Sequence, residues 1–137
     1  MRICVGVQSV EISLIHVVDL LNEREHPHGH TYYIDLCVEG FINEKGYIID
    51  LRELEKILGK VLESYDRKII VPRDYDISIF PEDMRKRIII NPLGNATIEN
   101  IAIDIIKRIY EILNRRDLKL YLRLREGGRY FVEVSYP

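Results

Sequence analysis

Apolar and polar residues alternate along the first stretch of the chain, from Arg2 to His16. The apolar positions are odd-numbered up to Val7 and even-numbered from Val10, so the phase shifts by one residue near Ser9. Alternation with a period of two is typical of a half-buried β-strand, and a one-residue shift is typical of a β-bulge. We therefore predict one long strand that contains a bulge.

Three further stretches alternate in the same way. One runs from His30 to Ile42, and the other two, Leu118 to Glu126 and Arg129 to Tyr136, lie near the end of the chain. Gly127-Gly128 separates the last two and fits a two-residue hairpin turn. Together with the first stretch, these patterns predict four strands, and Val17 to Pro27 forms a long loop between the first two.

Two segments repeat at helical spacing instead. The first follows Asp50 and has apolar positions up to Tyr65, and the second extends from Thr97 to Asn114. Asp50 and Thr97 are residues that commonly cap a helix N-terminus. Between the helices, the segment from Asp66 to Gly94 contains three prolines and short apolar runs, for which the pattern predicts no particular pairing.

This order of elements predicts an α+β fold in a single domain, residues 1–137. We expect an antiparallel four-stranded sheet in ββααββ order, with both helices on one face of the sheet. The two edges of such a sheet have no partner within one chain and favour pairing with other copies.

Composition adds limits on function. The chain has 137 residues, a net charge of -2 and a pI near 6.1, so its overall field attracts neither nucleic acid nor a membrane surface. No apolar run approaches the roughly 18 residues of a membrane span. We expect a cytoplasmic protein that acts on a small molecule. Abundant Ile, Lys, Arg and Glu with a single Gln indicate a thermophilic source.

The chain contains two cysteines, Cys4 and Cys37. Two cysteines are too few for a disulfide framework. In a reducing compartment we expect both to act as small, buried apolar groups.

Three of the four histidines share one strand phase. His28 and His30 are two residues apart, so their imidazoles project from the same face of a strand. His16 ends the preceding strand in the same even phase, whereas His26 precedes a proline and is interpreted as loop. Three histidines with one open position form a common catalytic zinc site. Spacing alone leaves a set of core histidines as the alternative.

Two acidic residues are candidates for chemistry near these histidines. Glu126 ends an apolar row in even phase, which points its carboxylate inward, where it would bind the guanidine-like edge of a planar ligand. The alternative is a structural salt bridge to Arg125 or Arg129. Glu25 lies three residues before His28 and is a candidate general base, or else a solvated loop carboxylate.

Two residue pairs at helix ends are weaker candidates for the site, because each also has a simple structural explanation. Asp66 and Arg67 follow the first helix, where a cation near the helix C-terminus has a simple structural explanation. Thr97 and Glu99 begin the second helix, where they serve as a cap and a dipole-compensating charge or contact a ligand.

Taken together, these residues resemble the 6-pyruvoyl-tetrahydropterin synthase family, which includes the 6-carboxy-tetrahydropterin synthases of queuosine biosynthesis. The resemblance covers almost the whole chain and is carried by five segments: Ile12 to His16, His28 to Tyr32, Gly46 to Leu51, Asn95 to Ala102, and Arg125-Glu126.

The resemblance implies an architecture and a set of site residues. The family's tunnelling fold implies that three subunits close their sheets into a barrel, that two rings stack into a hexamer, and that active sites lie at subunit interfaces. For the site it implies zinc on the three histidines, a pterin ring held by Glu126, and supporting contacts from Thr97 and Glu99.

The chain also departs from the family pattern. Arg24 occupies the place of a cysteine, and Arg67 follows Asp66 where members that make the pyruvoyl or carboxy product have a histidine. An arginine does not exchange protons at ordinary pH. The spacing Glu25-x-x-His28-Gly-His30 resembles a third branch, in which glutamate replaces the cysteine and 7,8-dihydroneopterin triphosphate is cleaved to 6-hydroxymethyl-7,8-dihydropterin.

The leading hypothesis is therefore a zinc-dependent lyase that uses Glu25 as a base for retro-aldol cleavage. Arg24 and Arg67 are candidates for binding the triphosphate, and the alternative for both is an ion pair with Glu25. Two other functions remain open: a 6-carboxy-tetrahydropterin synthase of deazaguanine synthesis with a remodelled triad, and a non-catalytic pterin- or zinc-binding paralogue.

Overall fold

The computed structural model describes all residues, 1–137, and contains one six-stranded sheet with helices packed against it. The order of strands across the sheet is β4-β3-β1-β2-β5-β6. The strands are β1 (Ile3–His16), β2 (His28–Gly40), β3 (Ile69–Val71), β4 (Ile88–Ile90), β5 (Lys119–Glu126) and β6 (Tyr130–Tyr136). The helices are α1 (Leu51–Leu62), α2 (Glu82–Arg85) and α3 (Ile98–Leu113), and Ile77–Ile79 form a 3₁₀ turn.

The α+β class is confirmed, but the prediction of four antiparallel strands is wrong. Strands β3 and β4 come from the segment between the two long helices, and they make the sheet mixed, because β3 is parallel to β1 and β4 is parallel to β3. Each has three residues. A run of three apolar residues has no readable period, so only its pairing with β1 identifies it as a strand.

The long first strand with a bulge is confirmed. The pairing register between β1 and β2 shifts between Val7 and Val10, and Ser9 has a positive φ of 59°. The carboxylate of Asp35 accepts a hydrogen bond from the Ser9 amide at 2.8 Å. The bulge keeps the apolar residues on both sides of it facing the helices.

The two predicted caps are present. Asp50 accepts a hydrogen bond from the Arg52 amide at 2.9 Å, and Thr97 accepts one from the Asn100 amide at 3.2 Å. At its other end, α3 terminates at Asn114, which has the left-handed conformation typical of a C-cap.

Helices α1 and α3 pack on the same face of the sheet and bury the main core. Residues that are fully buried come from both helices and from the even phase of β2 and β5. They include Leu54, Leu58, Ile105, Ile109, Ile34, Val38 and Leu120. This layer of apolar side chains ends at the histidines of β1 and β2.

The terminal hairpin has a three-residue turn, Gly127–Arg129, rather than the predicted two-residue turn. Glu126 pairs with Tyr130, and Gly127 has a φ of +63°, a region that glycine enters without a steric cost.

The expectation for the cysteines is wrong. Cys4 and Cys37 form a disulfide between β1 and β2, with their Cα atoms 5.8 Å apart. Both side chains lie on the sheet face opposite the helices, where Cys37 shares its phase with Asp35 and Glu39. Alternation therefore places them outside the core.

None of the helices has the length and apolar character needed to cross a bilayer.

Candidate metal centre

Three histidine side chains meet where β1 ends and β2 begins. The antiparallel register pairs His16 with His28, and Leu14 with His30. One ring nitrogen from each histidine lies within 4.8 Å of those of the others. The sequence prediction that His16, His28 and His30 come together is thus met by the geometry, because the bulge at Ser9 puts His16 in the phase of the other two.

Hydrogen bonds to main-chain carbonyls orient two of the imidazoles. Nδ1 of His16 lies 2.8 Å from the Ala96 carbonyl oxygen, and Nδ1 of His28 lies 2.9 Å from the His26 carbonyl oxygen. A carbonyl oxygen only accepts, so each Nδ1 carries the proton and each Nε2 is left with a lone pair. These two Nε2 atoms face each other at 3.0 Å, an arrangement that a cation between them would stabilise.

His30 provides a third nitrogen without a hydrogen bond. Its Nε2 is buried and has no hydrogen-bond partner. Glu126 Oε1 lies 3.3 Å away but without the alignment of a hydrogen bond. A buried polar nitrogen left without a partner costs free energy. Together with the Nε2 atoms of His16 and His28, this nitrogen completes a set of three imidazole ligands that fits a metal ion of the zinc type with an open coordination position.

Burial favours the neutral, ligating form of His16. Its side chain is only 3% exposed, and this burial lowers the pKa of His16 below its ordinary value of 6.5. The neighbouring His28 and His30 lower this pKa further, against the hydrogen bond to Ala96, which raises it. A neutral imidazole is the form that binds a metal.

Glu126 is the inward acid that its strand phase predicts. It lies opposite Tyr32 in the β2–β5 register, and its side chain is 16% exposed. The Tyr32 hydroxyl donates to Glu126 Oε2 at 3.3 Å and lies 3.4 Å from His16 Nε2. Burial raises the pKa of the Tyr32 phenol above its ordinary value of 10.0, and the charge of Glu126 raises it further, so this hydroxyl remains a donor.

The alternative of a structural salt bridge for Glu126 is not what the structure contains. Arg125 pairs with Asp35 at 3.1 Å, and Arg129 forms no ion pair. Instead, Glu126 lines a cavity of about 580 Å³ together with Glu99, Arg129 and residues of β6. Thr97 caps α3 next to this cavity, so Glu126, Thr97 and Glu99 lie in one region.

Two predicted residues lie on the loop between β1 and β2. Glu25 donates its backbone N–H to the Val18 carbonyl at 2.9 Å, and its half-buried carboxylate has no ion pair or hydrogen bond. Arg24 instead forms a two-pronged ion pair with Asp19, and its guanidinium lies 5.3 Å from the Tyr75 ring centre. Arg24 is therefore bound to Asp19 rather than to Glu25.

Within one chain, Asp66 and Arg67 form no hydrogen bond or ion pair with the histidines. Asp66 Oδ1 accepts a hydrogen bond from the Ser13 amide at 3.0 Å. Arg67, with a positive φ of 60°, lines a cavity of about 440 Å³ together with Lys68 and Arg87, and His30 lines the same cavity. Ser13 and Thr31 line this cavity from the sheet face opposite the helices.

Tyr32, Asn95 and Ala96 are contact residues of the site to which the sequence pattern assigns no role. Tyr32 has the same even phase as His30, so its inward position was readable from the pattern. The Ala96 carbonyl contacts His16, and the Asn95 side chain contacts Asp19, each across about 80 residues of sequence. No local pattern signals such contacts.

Comparisons with known proteins point to one family. The family model described as 6-pyruvoyl tetrahydropterin synthase matches residues 7–135. A dihydroneopterin monophosphate aldolase of Pyrococcus furiosus is 33% identical over 117 residues, which are 85% of this chain and 84% of the relative. A Pyrococcus horikoshii protein, provisionally named 6-carboxy-5,6,7,8-tetrahydropterin synthase, is 28% identical over 120 residues, 80% of this chain and 74% of the relative.

A solved structure shares the fold. The 6-pyruvoyl tetrahydropterin synthase of Plasmodium falciparum superposes with a TM-score of 0.84 at 23% identity and covers 98% of each chain. The match to the family model extends over nearly all of the sheet and both long helices. This chain belongs to the 6-pyruvoyl tetrahydropterin synthase family, whose members are lyases of pterin metabolism.

Proposed function

We propose that the protein is a zinc-dependent lyase that cleaves the side chain of phosphorylated 7,8-dihydroneopterin and releases 6-hydroxymethyl-7,8-dihydropterin. One observation carries the proposal: an inward acid, Glu126, lies 3.3 Å from a buried histidine nitrogen that has no hydrogen-bond partner. A pterin held by this acid would have its side chain next to the three imidazoles.

In this proposal Glu126 anchors the ring and Glu25 moves the proton. Glu126 would accept two N–H groups from the guanidine-like edge of the pterin, with Thr97 and Glu99 at the wall of the same cavity. A zinc ion bound by His16, His28 and His30 would polarise the side-chain hydroxyls of the substrate and lower their pKa.

These groups account for the proton and the electron pair that move when the carbon-carbon bond is cleaved. Glu25 removes the proton of the hydroxyl on the second side-chain carbon, and that carbon becomes an aldehyde as its bond to the first side-chain carbon breaks. The electron pair moves into the imine of the dihydropterin ring. A proton then returns to the first carbon, which gives the hydroxymethyl product and a phosphorylated aldehyde.

Two observations on relatives support Glu25 in this role. The P. furiosus relative is named an aldolase, an activity that requires a base for carbon-carbon cleavage. In the Plasmodium vivax protein, a glutamate described as catalytic has been replaced by alanine and by cysteine. The Glu25 carboxylate forms no ion pair or hydrogen bond in the structure and is free to act as such a base.

We further propose that Arg67 contacts the substrate's phosphate and that Arg24 does not. Arg24 is already neutralised by Asp19, whereas Arg67, Lys68 and Arg87 line one cavity and form no ion pair. Asp66 holds this region against β1 through Ser13. Ser13 and Thr31, on the sheet face opposite the helices, line this cavity together with His30. In the proposed assembly, Arg67 would reach from this face into the site of a neighbouring copy.

This arrangement requires an oligomer. The outer strands β4 and β6 have no further strand beside them, and exposed apolar side chains occur on both, including Ile90, Tyr130 and Phe131. We propose a hexamer built from two stacked trimers with active sites at the subunit interfaces. Sedimentation of the purified protein tests this assembly directly.

Product analysis tests the proposed reaction. Zinc-loaded protein is incubated separately with the triphosphate and the monophosphate of 7,8-dihydroneopterin, and products are identified by mass. We expect 6-hydroxymethyl-7,8-dihydropterin from at least one of them, and E25A should abolish its formation. E23A changes an exposed glutamate of the same loop and should leave turnover unchanged. Full activity of E25A would contradict the mechanism.

The same assay separates the alternatives. The P. horikoshii relative favours a 6-carboxy-tetrahydropterin synthase as second candidate, and formation of the carboxy product would establish it instead. Pterin binding without any turnover would identify a non-catalytic binding paralogue. This third possibility is considered because Arg24 and Arg67 stand where other members of the family have a cysteine and a histidine.

A further inference from the structure

The Asn95 side chain joins two segments that flank the candidate metal centre. Its Oδ1 accepts hydrogen bonds from the amides of Asp19, at 2.9 Å, and Ala96, at 3.0 Å. Its Nδ2 donates to the Asp19 carbonyl at 2.8 Å. Asn95 thus binds both polar groups of the Asp19 backbone, as a neighbouring strand would.

On one side of this junction is the carbonyl that orients His16. The Ala96 residue is fully buried, and its carbonyl oxygen accepts the His16 Nδ1–H at 2.8 Å. Asn100 also donates to the Asn95 carbonyl at 3.1 Å, and Thr97 caps α3 directly afterwards. The Asn95–Ala96 peptide is therefore held through both its N–H and its carbonyl. It precedes the Ala96 carbonyl, whose hydrogen bond directs the free Nε2 of His16 toward His28.

On the other side is the loop that carries Glu25. Asp19 and Arg24 form an isolated antiparallel bridge, and the Leu20 amide donates to the Glu23 carbonyl at 2.7 Å. These contacts make residues 19–24 a small hairpin, and Glu25 follows it directly. Because Asn95 holds Asp19 from both sides, it fixes the base of this hairpin against the start of α3.

We propose that Asn95 is a positioning residue that sets the His16 imidazole for metal binding and anchors the hairpin next to Glu25. The inference rests on the proposed function only in that a metal ion binds the three histidines. Groups that orient a ligating histidine typically change metal affinity by about 10- to 100-fold when they are removed.

The test compares three variants. N95A removes all of these side-chain contacts, whereas N95D keeps the accepting oxygen and replaces the donor to the Asp19 carbonyl with a charged oxygen. N43A is the matched control, because Asn43 also accepts from two backbone amides, those of Lys45 and Tyr47, in an exposed turn away from the histidines.

Two measurements apply to each variant: the zinc dissociation constant, from competition with a chromophoric chelator, and the visible absorption spectrum of the cobalt form. We expect N95A to weaken zinc binding by about 10- to 100-fold and to alter the cobalt spectrum. N95D should show a smaller loss of zinc affinity, and N43A should match the wild type. Thermal unfolding of the metal-free proteins reports any general loss of stability separately.

The outcomes distinguish the inference from the proposed function. If the wild type fails to bind zinc, the proposed function is wrong. If the wild type binds zinc and folded N95A binds it equally well with an unchanged cobalt spectrum, the inference is overturned, even if N95A unfolds at a lower temperature. If N95A does not fold, N95D decides, and wild-type zinc affinity and spectrum in N95D would overturn the inference.

Discussion

Replacing Glu126 by glutamine tests the assignment of this acid as the pterin anchor. The change preserves the shape of the side chain and one acceptor for the Tyr32 hydroxyl, which lies 3.3 Å from Oε2. It removes the charge and presents an N–H group to a pterin N–H group. A hydrogen bond to a charged group contributes about 1.5–3 kcal/mol, so a loss of about 2–3 kcal/mol should weaken pterin binding roughly 30- to 150-fold.

Binding is measured without turnover by the fluorescence of unphosphorylated neopterin, with zinc present. E39Q is the matched control, because Glu39 also accepts from a tyrosine hydroxyl, that of Tyr121 at 3.2 Å, and pairs with a cation, Arg2. It lies on the opposite face of the sheet and should leave neopterin affinity unchanged. Equal neopterin affinity in E126Q and the wild type would show that Glu126 does not anchor the pterin. An equal loss in E39Q would show that the effect is not specific to this acid.

Three further predictions concern the fold and the site. I105A, which truncates a fully buried residue of α3, should lower the free energy of unfolding by about 2–5 kcal/mol in urea titrations. In G6A the new Cβ would lie 1.9 Å from the Leu36 carbonyl oxygen, so the strands must separate and stability should fall by about 1–3 kcal/mol, and an unchanged urea midpoint would contradict the close packing of β1 on β2. The raised pKa of Tyr32 implies that the folded protein holds a proton that the unfolded chain releases above pH 10, so this contribution to stability is complete below pH 10 and declines as the pH rises further. In an alkaline absorbance titration, Y32F should have one tyrosine fewer than the wild type among those that ionise only well above pH 10.

Much of the fold was readable from local patterns, because these patterns act within a few residues. Alternation identified β1, β2, β5 and β6, and the helical spacing with its caps at Asp50 and Thr97 identified the two long helices. The same phase argument placed His16, His28 and His30 together and turned Glu126 inward, since side-chain direction along a strand repeats every two residues.

Other features depend on contacts between distant parts of the chain. Strands β3 and β4 are too short to show a period, and their identity comes from pairing beside His16. The disulfide between Cys4 and Cys37 joins residues 33 positions apart. Arg67 follows a helix in sequence, yet only the folded path of the chain brings it into one cavity with Thr31 and Arg87.

Residue patterns along the chain specify which faces of its strands and helices are apolar, and hence the class of fold, the histidine cluster and the inward acid. The orientation of each histidine, by contrast, arises only in the folded chain. The Ala96 carbonyl and the Asn95 amide reach His16 and Asp19 across 80 and 76 positions. A hydrogen bond between such distant groups leaves no periodic trace in the sequence, because its geometry exists only after the chain has folded.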